Sequence, residues 1–128
     1  MKYTRTGLIL CTELYNECVT FYSELLELPI LEVLDNQHSK LTVLGFGQDT
    51  YLMIETGGRY SPTQKKTDKN PVWLRFNVTS VEESARLLGL KGVHVNIRKE
   101  PWGTVGDFID PDGNGCSLRE EHPTFAGQ

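Results

Sequence analysis

The pattern of apolar runs and turn residues passes along this chain once, stops in a polar stretch, and then starts again. Residues 6–11 (TGLILC) read as a buried strand. Thr12 is placed to cap a helix, in which Leu14, Cys18, Phe21, Tyr22, Leu25 and Leu26 recur at helical spacing until Pro29 ends it. Strands follow at 30–34, 40–46 and 50–56, separated by Asp35-Asn36-Gln37 and by the glycine-containing run 45–49. Residues 57–70 are polar and read as a mobile loop between halves. The order then repeats. A strand at 71–78 leads to a helix that the capping box Ser80-Val81-Glu82-Glu83 opens and Gly89 and Gly92 stop. Strands at 93–97, 104–109 and 115–119 complete it. The element order recurs without a recurrence of residues.

One such module cannot bury both a sheet face and a helix stripe, whereas two can. The expected fold is therefore α+β. Two βαβββ modules form a curved eight-stranded mixed sheet around a cleft, with the helices outside. The 128 residues suit a single domain, with a first module over about 1–57, a linker over about 58–70 and a second module over about 71–121. Alternate strand residues then line the cleft.

A formal net charge of −4 sets nucleic acid aside as a partner, because such binding needs clustered basic residues. No apolar run approaches the roughly 20 residues that cross a bilayer, and the first residues show no leader-like stretch, so no membrane association is expected. Cys11, Cys18 and Cys116 have no metal-type spacing and lie in apolar runs. They predict buried, unbridged thiols and a reducing, cytoplasmic setting.

Three segments carry a family resemblance. They are Phe21-Tyr22-Ser23-Glu24-Leu25-Leu26-Glu27-Leu28-Pro29, Glu100-Pro101-Trp102-Gly103 and Asp110-Pro111-Asp112-Gly113-Asn114. Together with the repeated element order they resemble the glyoxalase/bleomycin-resistance group, also called the vicinal oxygen chelate superfamily. The resemblance covers nearly the whole chain and implies the paired-module fold. It selects no activity, since that fold hosts lyases, isomerases, dioxygenases, transferases and drug binders. The last segment also has a plain conformational reading. Pro111 presets a turn and Asp112-Gly113-Asn114 tolerates positive backbone torsions, so these residues shape a hairpin and do no chemistry.

By the same resemblance, metal-dependent members draw His, Glu or Gln from the first and last strands of each module. Those positions fall here on Thr6 or Gly7, on Glu55, on Trp73 and on Ser117. Glu55 is the one donor of the required kind among them, and one carboxylate is not a site. His38 beside a turn, His94 on a middle strand and His122 in the tail read as surface or satisfied histidines. No metal and no other cofactor is expected.

Strand alternation sorts the remaining candidates. Val72, Leu74, Phe76 and Val78 face the core, which turns Trp73, Arg75 and Asn77 into the cleft. The same logic sends Tyr51, Met53 and Glu55 there, together with Ser117 and Arg119. Trp102 stands at the mouth. The candidate ligand-binding residues are thus Tyr51, Met53, Glu55, Trp73, Arg75, Trp102, Asp107 and Ser117. Such a mixed aromatic and polar lining suits a small molecule, and flat aromatic faces suit planar or cationic compounds. The leading expectation follows the bleomycin-resistance branch: a metal-free homodimer that binds or sequesters an aromatic compound, cationic ones included. One alternative is a lyase or isomerase with Glu55 as general base. Another is a ligand-free module for dimerisation. Arg75 can draw an anion or pair with Glu55.

Overall fold

The computed structural model describes residues 1–2, 4–66 and 69–120; His122 lies outside them. The first group of elements is β1 (Thr6–Thr12), α1 (Tyr15–Thr20), β2 (Ile30–Asp35), β3 (Lys40–Gly45) and β4 (Thr50–Thr56). The second is β5 (Trp73–Val78), α2 (Val81–Leu90), β6 (Asn96–Glu100), β7 (Gly103–Ile109) and β8 (Gly115–Glu120). The eight strands fall into two four-stranded mixed sheets, ordered β1-β4-β3-β2 and β5-β8-β7-β6. The chain divides into two compact units, Met1–Pro62 and Thr63–Gln128. The fold class is α+β. Among the described residues, no helix is long and apolar enough to cross a membrane.

In the first unit, β1 pairs parallel with β4, and β3 runs antiparallel to both β4 and β2. Leu44, Leu52 and Ile54 form the buried side of this sheet, and Cys18, Phe21 and Tyr22 are buried from the helical segment. Each such side chain contributes about 1.5–3 kcal/mol when removed from water. The helix starts later than its cap residue predicts. Thr12 stays on β1, fully buried, and its Oγ1 accepts from the Leu14 backbone N–H at 2.8 Å and from the Cys18 thiol at 3.6 Å. The hydroxyl therefore ties strand to helix from inside, and the cap position passes to Leu14, which makes no side-chain cap bond. After α1 the backbone widens into a π-type turn over Phe21–Leu25. Glu27 then reverses the chain with φ at 62°, a left-handed conformation that favours glycine.

In the second unit, β5 pairs parallel with β8, and β7 runs antiparallel to β8 and β6. Ser80 caps α2 by accepting from the Glu83 N–H at 3.1 Å. The Glu83 carboxylate does not close the box. It takes Arg86 instead, through contacts of 2.6 and 3.0 Å. Gly89 does not stop the helix, which runs on to Leu90; the exposed position tolerates glycine, and Gly92 with φ at 87° ends it. The next strand also moves, from the expected 93–97 to Asn96–Glu100. The cause is the tight turn at Pro101 and Trp102, which fixes where the hairpin closes. Val95 packs beneath Gly106, where an added Cβ would meet its Cγ1 at 2.8 Å. His94 accordingly precedes the strand, exposed.

The hairpin Asp110–Asn114 is a buried polar knot. Asp110 Oδ1 accepts from the N–H groups of Asp112 at 2.9 Å and Asn114 at 2.8 Å, while Oδ2 accepts from the Asn114 side-chain amide at 2.8 Å. The polar stretch expected to be a mobile loop is tied to this knot. Lys65 reaches Asp112 at 3.1 Å, its N–H bonds the Gly113 carbonyl at 2.8 Å, and Asn70 donates to Asn114 at 3.0 Å. The cysteines also differ from expectation in one respect. Cys18 and Cys116 are buried, but Cys11 is exposed, because its strand position faces away from the helix; none of the three is in a disulfide.

Replacing Asp110 removes one acceptor group and strands several buried donors, each costing about 1–3 kcal/mol. Asp110→Ala is expected to lower unfolding stability by at least about 3 kcal/mol in urea titrations. Glu27→Gly is expected to raise it by about 0.5–1 kcal/mol, by relieving the left-handed backbone.

Candidate functional site

In each unit the helix covers one face of its sheet. Tyr15 on α1 hydrogen-bonds Thr42, which marks the covered face of the first sheet. On its other face the register places Gly7 beside Tyr51, Ile9 beside Met53, and Cys11 beside Glu55. Val43 and Leu41 continue those rows on β3. Tyr51, Met53 and Glu55 are all half-buried. The Tyr51 ring lies over Gly7, so that a Cβ built there would overlap it, and the Arg5 guanidinium stacks on the same ring at 4.8 Å.

The second sheet repeats the device with the partners exchanged. Trp73, on the first strand, lies over Gly115 on the last, where an added Cβ would stand 3.0 Å from the indole ring. Trp73 keeps 42% of its surface exposed. The next row across this face reads Arg75, Ser117, Asp107 and Asn96, and the row after it Asn77, Arg119, Val105 and Arg98. The predicted residues Trp73, Arg75, Asp107 and Ser117 therefore do share one face. Arg75 Nε donates to Ser117 Oγ at 2.6 Å. Trp102 sits at the β6–β7 turn, 47% exposed, with Arg119 stacked on its ring at 4.5 Å and donating to its carbonyl at 3.1 Å.

Arg98 belongs to this face and escaped the sequence reading, since it enters the strand only when β6 is moved to its true bounds. It holds Asp107 at 2.6 Å and Glu100 at 2.7 Å. The hydrogen bond to Asp107 raises the Arg98 pKa, and both carboxylates are hydrogen-bonded to this one guanidinium. Arg75 is in the opposite condition. Burial, and then the like charge of Arg119, pull its pKa below the usual value, with Asp107 opposing them. The guanidinium remains charged, as arginine does in proteins.

The residues at the positions where metal-dependent relatives carry ligands do not fit a divalent ion. Glu55 is the sole carboxylate, Trp73 and Gly7 offer no donor, Thr6 offers only a neutral hydroxyl, and Ser117 accepts from Arg75. A side chain at position 7 would also collide with Tyr51. Among the described residues, no group of three or more His, Cys, Asp or Glu side chains is arranged to hold a metal.

The Gly7–Tyr51 pair is testable by a double-mutant cycle. Gly7→Ala is expected to destabilise by about 1–3 kcal/mol through overpacking. In a Tyr51→Ala background the same change becomes neutral or favourable, giving a coupling of at least about 1 kcal/mol in urea unfolding.

No family model and no curated protein matches the sequence. Solved structures do match along nearly its full length. The trypanothione-dependent glyoxalase I of Leishmania major superposes with a TM-score of 0.76 at 20% identity, over 99% of this chain and 92% of that one. An antibiotic-binding protein from Streptomyces sp. CB03234 gives 0.69 at 21% identity, over 95% and 98%. A glyoxalase/bleomycin-resistance protein from the same source gives 0.66 at 23% identity, over 90% and 98%. At these identities the likeness speaks for architecture. The chain therefore carries the fold of these glyoxalase/bleomycin-resistance proteins.

Proposed function

We propose that this protein binds a planar aromatic small molecule, without a metal, on the sheet faces that its helices leave uncovered. The observation that carries this reading is the part-exposed Trp73 side chain, its indole ring against Gly115, followed in the next row by Arg75 and Ser117. A large aromatic ring braced against the strand offers a stacking surface, and the polar row beside it fixes orientation. The antibiotic-binding protein of the same fold supports the binding class. Tyr51, Met53 and Glu55 supply the corresponding lining on the first sheet, with Trp102 and Asp107 further along the second.

The working unit in this proposal is a homodimer. Ile30, Leu31, Val33 and Leu34 on the edge strand β2 are all at least half exposed. An edge strand with apolar residues on both faces is an aggregation hazard unless something covers it. A second copy of the chain would do so. Sedimentation is expected to report a dimer, and Val33→Lys to shift it towards monomer.

A panel of flat polycyclic compounds should separate binding from its alternatives. A true ligand at one hundred times its Kd is expected to stabilise the fold by about 2.7 kcal/mol in thermal unfolding. Trp73→Ala is expected to weaken it at least about tenfold, the worth of one well-packed aromatic contact. Unchanged affinity in Trp73→Ala would remove the central observation. Turnover that survives chelators and is lost in Glu55→Gln would replace this reading with a lyase or isomerase.

A further inference from the structure

The charge balance of the second sheet says more about the ligand. Three arginines, Arg75, Arg98 and Arg119, share the uncovered face with two carboxylates, Asp107 and Glu100. Both carboxylates are engaged by Arg98. Arg119 is stacked on Trp102 and bonded to its carbonyl. Arg75 spends its Nε–H on Ser117, and among the described residues it has no carboxylate in contact. A guanidinium has five N–H donors, so the terminal fork of Arg75 remains available in the plane that a carboxylate recognises bidentately.

The position of this fork matters as much as its charge. Arg75 follows Trp73 by two residues on β5, on the same face. Strand rise sets them about 6.6 Å apart. An acid group carried by a ring stacked on the indole would fall between the two side chains, on the Arg75 side of that ring. Arg119, one strand over and one row further, adds a second positive charge whose repulsion with Arg75 an anion would relieve.

We propose that the Trp73–Arg75–Ser117 row is an acid-recognising subsite, so that the bound aromatic compound is anionic, carrying a carboxylate or comparable planar acid group. The inference rests on the small-molecule reading above. It replaces the cationic compounds that the aromatic lining admits, because three arginines outnumber the two carboxylates on this face. Ser117 is a positioning residue: its hydroxyl fixes Nε and thereby aims the fork.

The test uses the full chain and three probes of one shape: naphthoate, naphthamide and naphthyl-trimethylammonium. Calorimetric titration at low salt is expected to rank naphthoate first, at least about tenfold tighter than the amide, the worth of one charge-assisted pair. The cation should be weakest, and the naphthoate advantage should shrink as salt is raised. Arg75→Gln is expected to abolish the naphthoate preference, bringing naphthoate down to the affinity of the amide for the same variant. Ser117→Ala is expected to lower the naphthoate preference over the amide in part. Three probes binding equally would overturn the acid subsite and leave the aromatic-binding reading standing. A cation preference, or a naphthoate preference that survives Arg75→Gln, would also overturn it. No binding by any probe would overturn both.

Discussion

Parallel pairing of the first strand with the last, β1 with β4 and β5 with β8, governs the remainder of each unit. Two parallel neighbours cannot be joined by a tight turn, so the chain must cross over between them. The crossover carries a helix and two antiparallel strands. The helix settles on one face of the sheet, where Leu52 and Ile54 or Leu74 and Leu118 are buried. The opposite face is then left to the alternate residues of the same strands. Core and candidate site are thus fixed together by a single register, and a slip of one residue would exchange them.

That coupling explains which parts were legible in the sequence. Trp73–Val78 alternates cleanly, so the placement of Leu74 on the core face and of Trp73 and Arg75 on the opposite face followed from period alone. Ser80 announced its helix by chemistry that the structure repeats. Where the sequence misled, a longer-range contact had overruled a local signal. Val93 and Val95 look like strand residues, but the Pro101–Trp102 turn sets the hairpin and leaves Val95 to pack under Gly106. Thr12 looks like a cap, but its hydroxyl is needed inside, against Cys18. Cys11 lies in an apolar run, yet its parity turns it outward.

The charged residues show the same limit more sharply. Arg75, Glu55 and Asp107 could be named from alternation, whereas their partners could not. Partnership depends on which residues stand opposite across neighbouring strands, and that register is absent from a linear pattern. Only with β5 beside β8 does Arg75 meet Ser117, and only with β6 at Asn96–Glu100 does Arg98 reach Asp107. The face changes from a mixture of opposing charges into a hydrogen-bonded trio beside an arginine that, among the described residues, contacts no carboxylate.

The two glycine–aromatic pairs bear on how such a face can be remodelled. At Gly7 the space for a side chain is already filled by Tyr51, and at Gly115 it is filled by Trp73. A donor introduced at position 7 first meets the ring, while a smaller residue introduced at position 51 first uncovers a bare stretch of strand. Either order passes through a poorer protein before the pair is complete. The route between this face and one that carries a ligand on its first strand is therefore a two-step path with a dip in stability, whichever step comes first.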